Sequence, residues 1–131
     1  MNKIFLIIGT ILAGLAVALG AFGAHGLKKL VGPETISTYQ TGVQYQMYHA
    51  LALLLLGVLY ERSQSSLINF AGFFFIAGVV LFSGSLYLLV SLKAMNKLGT
   101  TGIGIMTPIG GLLFIVGWIL LLISLIRKIN H

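Results

Sequence analysis

Long apolar runs that carry almost no charge constrain this chain more than any other feature. Of its 131 residues, 58% are hydrophobic and 8% are charged, and the mean hydropathy is +1.06. A soluble domain covers its surface with about a quarter charged residues, but this chain has only eight Lys and Arg and two Asp and Glu. Its apolar surface must therefore face lipid, which predicts an integral membrane protein.

Four segments are long and apolar enough to cross a bilayer as helices, which takes roughly 20 residues each. They lie at about 4–23, 41–61, 67–92 and 107–127, so the whole chain, 1–131, is one transmembrane domain. The runs lack the alternation of a β-barrel strand, and backbone groups in lipid must be satisfied within the span. The predicted fold class is all-α, an integral membrane bundle of four transmembrane helices.

The second segment differs from the others because its strictly apolar run, 50–60, is too short to span alone. Its helix must reach back to about Thr41, which brings several polar side chains to membrane depth. Before it, Gly32-Pro33-Glu34 is typical of a turn followed by a helix start. We therefore expect a short interfacial helix at 34–40, before the second span.

The first segment admits a second interpretation. Lys3, an apolar stretch and Ala16-Val17-Ala18 are also typical of a cleavable signal peptide. Apolar character continues through Phe22, which favours a retained transmembrane helix.

Small residues recur along the first segment at steps of three and four: Gly9, Ala13, Ala16, Gly20 and Ala24. Such stripes let helices pack closely, within one bundle or between copies of a homo-oligomer.

The charges give no orientation and exclude a nucleic-acid partner. We call the membrane face of both termini side A and the opposite face side B. Each side carries four basic residues, so the positive-inside rule does not choose between them, and insertion in both orientations stays open. The basic residues lie singly or in pairs beside apolar runs, unlike the basic and aromatic patches of a nucleic-acid binder. They are Lys3, Arg62, Arg127 and Lys128 on side A, and Lys28, Lys29, Lys93 and Lys97 on side B.

Polar side chains at membrane depth concentrate in the side-B half of all four segments. In the second segment, Thr41, Tyr45 and His49 share one helical stripe. Polar groups in lipid are costly and normally turn toward the bundle interior or a wet cavity. We therefore predict one intramembrane polar cluster: His25, Gln44, Tyr45, His49, Ser83, Ser85, Tyr87 and Thr107.

Two interpretations of this cluster stay open, a ligand site and a hydrogen-bonded core that fixes helix register. The first predicts that the side chains converge on a cavity, and the second that they bond to one another with no void. Glu34 and Glu61 lie at helix ends, so no carboxylate lies inside a span. There is no cysteine and no metal-ligand, phosphate-loop or nucleophile–base motif. We expect no catalytic residue, no metal and no cofactor, haem included, and hence no enzyme.

Several motifs together resemble a known family, although each alone is short. They are Gly20-Ala21-Phe22-Gly23-Ala24-His25-Gly26-Leu27, Tyr48-His49-Ala50-Leu51-Ala52-Leu53, Phe82-Ser83-Gly84-Ser85-Leu86-Tyr87 and Thr107-Pro108-Ile109-Gly110-Gly111. This combination resembles domain-of-unknown-function family 423, also called uncharacterised protein family 0382. These are small four-span bacterial membrane proteins of the YwdK and YgdD type, distantly related to animal transmembrane protein 256. The resemblance implies a multi-pass protein of the bacterial plasma membrane with a retained first span, and it implies no activity.

Three functions remain open at this point. The protein binds a lipid head group or a small polar ligand at the polar cluster, with membrane lipids as its partners. Alternatively, it is a structural or accessory subunit that packs against a larger membrane partner. The third function is a small dual-topology channel, motivated by the equal charge of the two sides. Reporter fusions that place every C-terminus on one side would exclude the channel.

Overall fold

A computed structural model describes residues 3–63, 65–95 and 101–129 of the chain. Lys97 therefore lies outside the described residues, as do the side chains of Arg62 and Lys128. The described chain forms helices α1 (Lys3–Ala24), α2 (Pro33–Ser63), α3 (Ser66–Ala94) and α4 (Thr101–Ile129), with a single 3-10 turn at Leu27–Lys29. All four helices are long and apolar enough to cross a membrane. The predicted all-α bundle of four transmembrane helices is confirmed.

Helix α2 starts earlier than the predicted second span. Residues 34–40, predicted as a short interfacial helix, form its first two turns and continue into the span without a break. Pro33 suits the first helical position, and no further proline interrupts the chain before α2 ends. The separate short element before α2 is the 3-10 turn at Leu27–Lys29.

Helices α1 and α2 form an antiparallel hairpin whose backbones approach closely at glycines. A Cβ atom on Gly9 would lie 2.9 Å from the carbonyl oxygen of Ala50, and one on Gly23 would lie 2.6 Å from the ring of Tyr39. Ala16 is buried between them on the same face. The small residues of this face therefore pack inside the bundle, where close backbone approach supplies the association energy that lipid does not.

Helices α3 and α4 form a second antiparallel hairpin in which phenylalanine rings lie over glycines. Phe75 covers Gly117, where an added Cβ would lie 2.6 Å from the ring. Phe114 covers Gly78, and the backbone of Phe82 lies against Gly110. Each step along α3 is matched by an equal step back along α4, so these contacts fix the register of the hairpin.

The two hairpins share an apolar core on the side-A half of α2. Phe5 of α1, Leu53 and Leu56 of α2 and Phe75 of α3 are fully buried there. Helix α2 is central: half of the residues in its most apolar stretch are buried, whereas 17% of the residues in the corresponding stretch of α1 are buried. Large apolar side chains such as Ile4, Ile7 and Ile11 therefore lie on the outer surface, as a lipid-facing helix requires.

Candidate functional site

Two departures from regular helix lie close to each other, one near the middle of α3 and one in the first third of α4. In α3, residues Val79–Ser83 form a π turn, in which the N–H of Gly84 donates to the carbonyl of Val79 five residues earlier. In α4, Pro108 has no N–H to offer the carbonyl of Gly104, four residues before it. Such irregularities are tolerated in membrane helices where neighbouring groups satisfy the backbone, and π turns often mark functional sites.

A groove of about 500 Å³ opens on the outer surface of the bundle at these irregularities, between α2, α3 and α4. We call it the His49 groove. Tyr45 and His49 contribute from α2, Phe82 of the π turn from α3, and Trp118 from α4. Tyr45 and Trp118 are 38% and 43% exposed. The lining is Tyr45, His49, Phe82, Pro108, Gly111, Leu112, Phe114, Ile115 and Trp118.

His49 is the buried floor of this groove, and its two ring nitrogens both have partners. Nδ1 lies 2.8 Å from the carbonyl oxygen of Tyr45, and Nε2 accepts a hydrogen bond of 3.0 Å from the indole N–H of Trp118. A carbonyl can only accept, so Nδ1 carries the proton and Nε2 does not. The geometry therefore holds His49 as the neutral Nδ1–H tautomer.

Aromatic rings clamp the imidazole from two directions. The ring of Phe114 stacks on it at a centroid distance of 3.6 Å and an angle of 9°, and Phe75 meets it edge-on at 5.2 Å. Tyr45 stacks in turn on Phe82 at 4.7 Å. His49 and Trp118 lie about halfway along α2 and α4, roughly 24 Å from the side-B ends of these helices at 1.5 Å per residue. The groove is thus an aromatic surface that extends from the side-B half of the membrane-spanning region to about its middle.

A second polar group lies away from the groove, where α1, α2 and α3 meet. Gln46 donates from Nε2 to the carbonyl of Leu12 at 2.8 Å and accepts from the hydroxyl of Tyr87 at 2.7 Å. Ser83 donates to the carbonyl of Gly42 at 2.6 Å, and Tyr39 donates to the carbonyl of Leu19 at 2.6 Å. We call these four polar side chains, Tyr39, Gln46, Ser83 and Tyr87, the Gln46 network.

The predicted cluster is thus divided in the structure. Tyr45 and His49 lie in the groove, whereas Ser83 and Tyr87 belong to the Gln46 network. The remaining four residues lie elsewhere: Ser85 bonds to Thr107 at 2.5 Å between α3 and α4, and His25 and Gln44 are exposed. Within the described residues, no buried side-chain nitrogen or oxygen lacks a hydrogen-bond partner.

The predicted cluster did not include Trp118, Phe82 and Phe114 of the groove, nor Tyr39 and Gln46 of the network. One signal pointed to Trp118. It is the only tryptophan of the chain and lies in the middle of a span, whereas tryptophan in membrane proteins concentrates at the interfaces. Counted from the side-B ends of α2 and α4, Trp118 also lies at the same depth as His49.

The described residues hold no group of three or more His, Cys, Asp or Glu side chains close enough for a metal ion. With both nitrogens engaged, His49 offers neither a free ligand atom nor a free base to the groove. What the groove presents instead is aromatic and aliphatic surface, which includes the hydroxyl-bearing ring of Tyr45. Such a surface suits an apolar or amphipathic molecule.

Comparison with known proteins identifies the family. The family model described as protein of unknown function (DUF423) matches residues 19–111. The UPF0382 membrane protein SAB0533 of Staphylococcus aureus (strain bovine RF122 / ET3-1) is 48% identical, over 93% of this chain and 94% of that protein. The UPF0382 membrane protein YwdK of Bacillus subtilis (strain 168) is 44% identical, over 95% and 98%. No solved structure matches the chain. The predicted resemblance is confirmed, and the chain belongs to the DUF423 family of UPF0382 membrane proteins.

Proposed function

We propose that this protein is a non-enzymatic, multi-pass protein of the bacterial plasma membrane that binds a lipophilic molecule from the bilayer in the His49 groove. The observation that carries the proposal is the groove itself. It has a volume of about 500 Å³ and an aromatic lining with few polar groups, which is the composition typical of small-molecule sites. It also opens on the outer surface, so a molecule dissolved in the bilayer reaches it without crossing the bundle.

The lining selects the chemistry of the ligand. Leu112, Ile115 and Phe114 offer apolar contact. Both ring nitrogens of His49 are already hydrogen-bonded, to Tyr45 and Trp118. A charged head group at this depth would lose its hydration without gaining a partner of opposite charge. The proposed ligand is therefore a chain or ring that is mainly apolar, with one hydroxyl or carbonyl placed to bond to the Tyr45 hydroxyl.

The non-enzymatic part of the proposal rests on the same geometry. A general base must present an unprotonated atom to its substrate. The unprotonated Nε2 of His49 is occupied by the indole N–H of Trp118, and the groove lining contains no carboxylate or lysine. These features support binding rather than chemical conversion.

The proposal is tested by filling the groove without disturbing the core. A Cβ on Gly111 would lie 3.7 Å from the ring of Phe82, an ordinary contact, so the longer side chain of Gly111→Leu extends into the groove. Gly104 lies two turns earlier in α4, with open space around it, and Gly104→Leu is the matched control. The readout is native mass spectrometry of protein gently extracted from its own membrane.

We expect wild type and Gly104→Leu to retain the same small molecule and Gly111→Leu to lose it. Its mass after release identifies the ligand class. Wild-type protein detected only without a bound small molecule would overturn the proposal. So would an adduct that Gly111→Leu retains in full.

A second candidate, an accessory subunit or a homo-oligomer, is favoured by the outer surface of α1. Gly14 has open space around it, and Ala18 and Ala21 are exposed on the same stripe. Small residues at this spacing let another transmembrane helix approach closely. If they do so, native gels of membrane extracts will show a complex for wild type that is lost in Gly14→Leu and kept in Gly104→Leu.

A further inference from the structure

A second cleft, separate from the His49 groove, lies at the side-B end of the first hairpin. It has a volume of about 440 Å³ and lies between the end of α1, the 3-10 turn and the start of α2. Lys28 is the one charged residue of its lining, and Val31 and Ile36 give it an apolar wall. The full lining is Gly23, Ala24, Lys28, Val31, Pro33 and Ile36, none of which lines the His49 groove.

The connection that carries Lys28 is held by its own hydrogen bonds. The N–H groups of Leu30 and Val31 both donate to the carbonyl of Leu27, at 2.9 and 3.2 Å. The Leu27 side chain is buried and belongs to the same apolar cluster as Tyr39 and Val43. The turn is thus fastened to the bundle from inside, and the cleft exists before any ligand arrives.

The charge of this region is positive, and its position is interfacial. Lys28 and the adjacent Lys29 are both exposed, at the level where one membrane span ends and the next begins, which is where lipid head groups lie. Glu34 is the only acid of this connection. It stands in the first turn of α2, where it complements the helix dipole, and it does not line the cleft. The attraction for an anion therefore comes from the lysines and not from the helix terminus.

We propose that this cleft is a binding site for an anionic phospholipid. The ammonium of Lys28 meets the lipid phosphate at the rim, and one acyl chain starts along the wall formed by Val31 and Ile36. A free phosphate ion would leave this wall uncovered, and a zwitterionic lipid would gain less from the lysines. The combination of one cation, an apolar wall and head-group depth fits an anionic diacyl lipid.

The test titrates full-length protein in detergent micelles with dioleoyl phosphatidylglycerol, and lipid-bound protein is counted by native mass spectrometry. Lys28→Gln removes the cation at the cleft. Lys93→Gln removes another exposed lysine, at the side-B end of the other hairpin, with the same change in net charge. Ala24→Leu places a larger side chain in the cleft and leaves the charge unchanged, since Ala24 is exposed and lines the cleft.

A lysine near an anionic surface contributes about 1 kcal/mol, which is about fivefold in affinity. We therefore expect Lys28→Gln to weaken phosphatidylglycerol binding about fivefold, with Lys93→Gln within twofold of wild type. Ala24→Leu should weaken it as well, because its larger side chain occupies space in the cleft that the lipid would fill. Equal losses in Lys28→Gln and Lys93→Gln would mean a general attraction of anionic lipid to a basic protein and would overturn the site. Unchanged binding in Ala24→Leu, equal binding of dioleoyl phosphatidylcholine, or full competition by glycerol phosphate would also overturn it. Gly111→Leu should leave this binding intact, which separates this site from the His49 groove.

Discussion

The Gln46 network and the His49 groove start from the same helix and use their polar side chains in opposite ways. Gln46 and His49 are three residues apart on α2, and both are buried. Gln46 joins α1 to α3 through its amide, because the amide nitrogen bonds to α1 and the amide oxygen to α3. His49 is satisfied by Tyr45 and Trp118, whose rings are partly exposed at an open groove. The network can only stabilise the fold, whereas the groove also offers a surface to a ligand.

The acceptors of the network explain why α1 needs so few polar side chains. Tyr39 and Gln46 donate to the backbone carbonyls of Leu19 and Leu12, not to side chains of α1. A helix carbonyl keeps a second lone pair after its own helical bond, so α2 can fasten α1 wherever the two backbones come close. Small residues such as Gly9 and Ala16 provide that closeness, and the other positions of α1 are free to be lipid-soluble.

The largest expected effect belongs to His49, the residue on which the comparison depends most. His49→Ala removes the ring between Phe114 and Phe75 and leaves a cavity, together with an indole N–H that has lost its acceptor. We expect a loss of about 3 kcal/mol in the free energy of unfolding, measured by detergent denaturation in micelles. His25→Ala, at an exposed histidine, should change it by less than about 0.5 kcal/mol. Equal stability of the two variants would show that the clamped imidazole is not structural.

Gln46→Leu tests whether the Gln46 network serves only to hold the helices together. It keeps the bulk of the side chain but leaves the Tyr87 hydroxyl without its acceptor. We expect a loss of about 1 to 2 kcal/mol in the same unfolding measurement, with the molecule in the His49 groove still bound. Gln44→Leu, two residues earlier and exposed, is the matched control and should be neutral. Loss of the bound molecule in a Gln46→Leu protein that is still folded would mean that network and groove act as one unit.

Ser83→Ala removes one interhelical hydrogen bond, the donation to the carbonyl of Gly42 from inside the π turn. Interhelical hydrogen bonds in membrane proteins average about 0.6 kcal/mol, and we expect a loss of that size. Ser91→Ala, at an exposed serine of the same helix, should leave the unfolding free energy unchanged. A loss above about 2 kcal/mol would instead mean that Ser83 holds the π turn itself.

The sequence predicted the four helices because long apolar runs leave no alternative in lipid. It also predicted the stripe of Thr41, Tyr45 and His49, because helical spacing decides which side chains share a face. Spacing does not decide which neighbouring helix that face meets. Gln44 and Tyr48 each stand one residue before a member of that stripe, and both are exposed. Gln46 lies outside the stripe and is buried. The partner of His49 depends on the relative rotation of α2 and α4, which the spacing of residues within α2 does not determine.

Tyr45→Phe, the variant with the smallest expected effect on stability, tests whether the His49 groove binds a ligand. Tyr45→Phe keeps the ring that stacks on Phe82 and removes only the hydroxyl at the groove. We expect the free energy of unfolding to change by less than about 0.5 kcal/mol and the affinity for the molecule in the groove to fall about fivefold, the value of one hydrogen bond. Tyr48→Phe is the matched control, since Tyr48 is more exposed and does not line the groove. If Tyr45→Phe destabilised the bundle as much as Ser83→Ala and left binding unchanged, the Tyr45 hydroxyl would serve the fold as the network does, and the distinction between the two regions would fail.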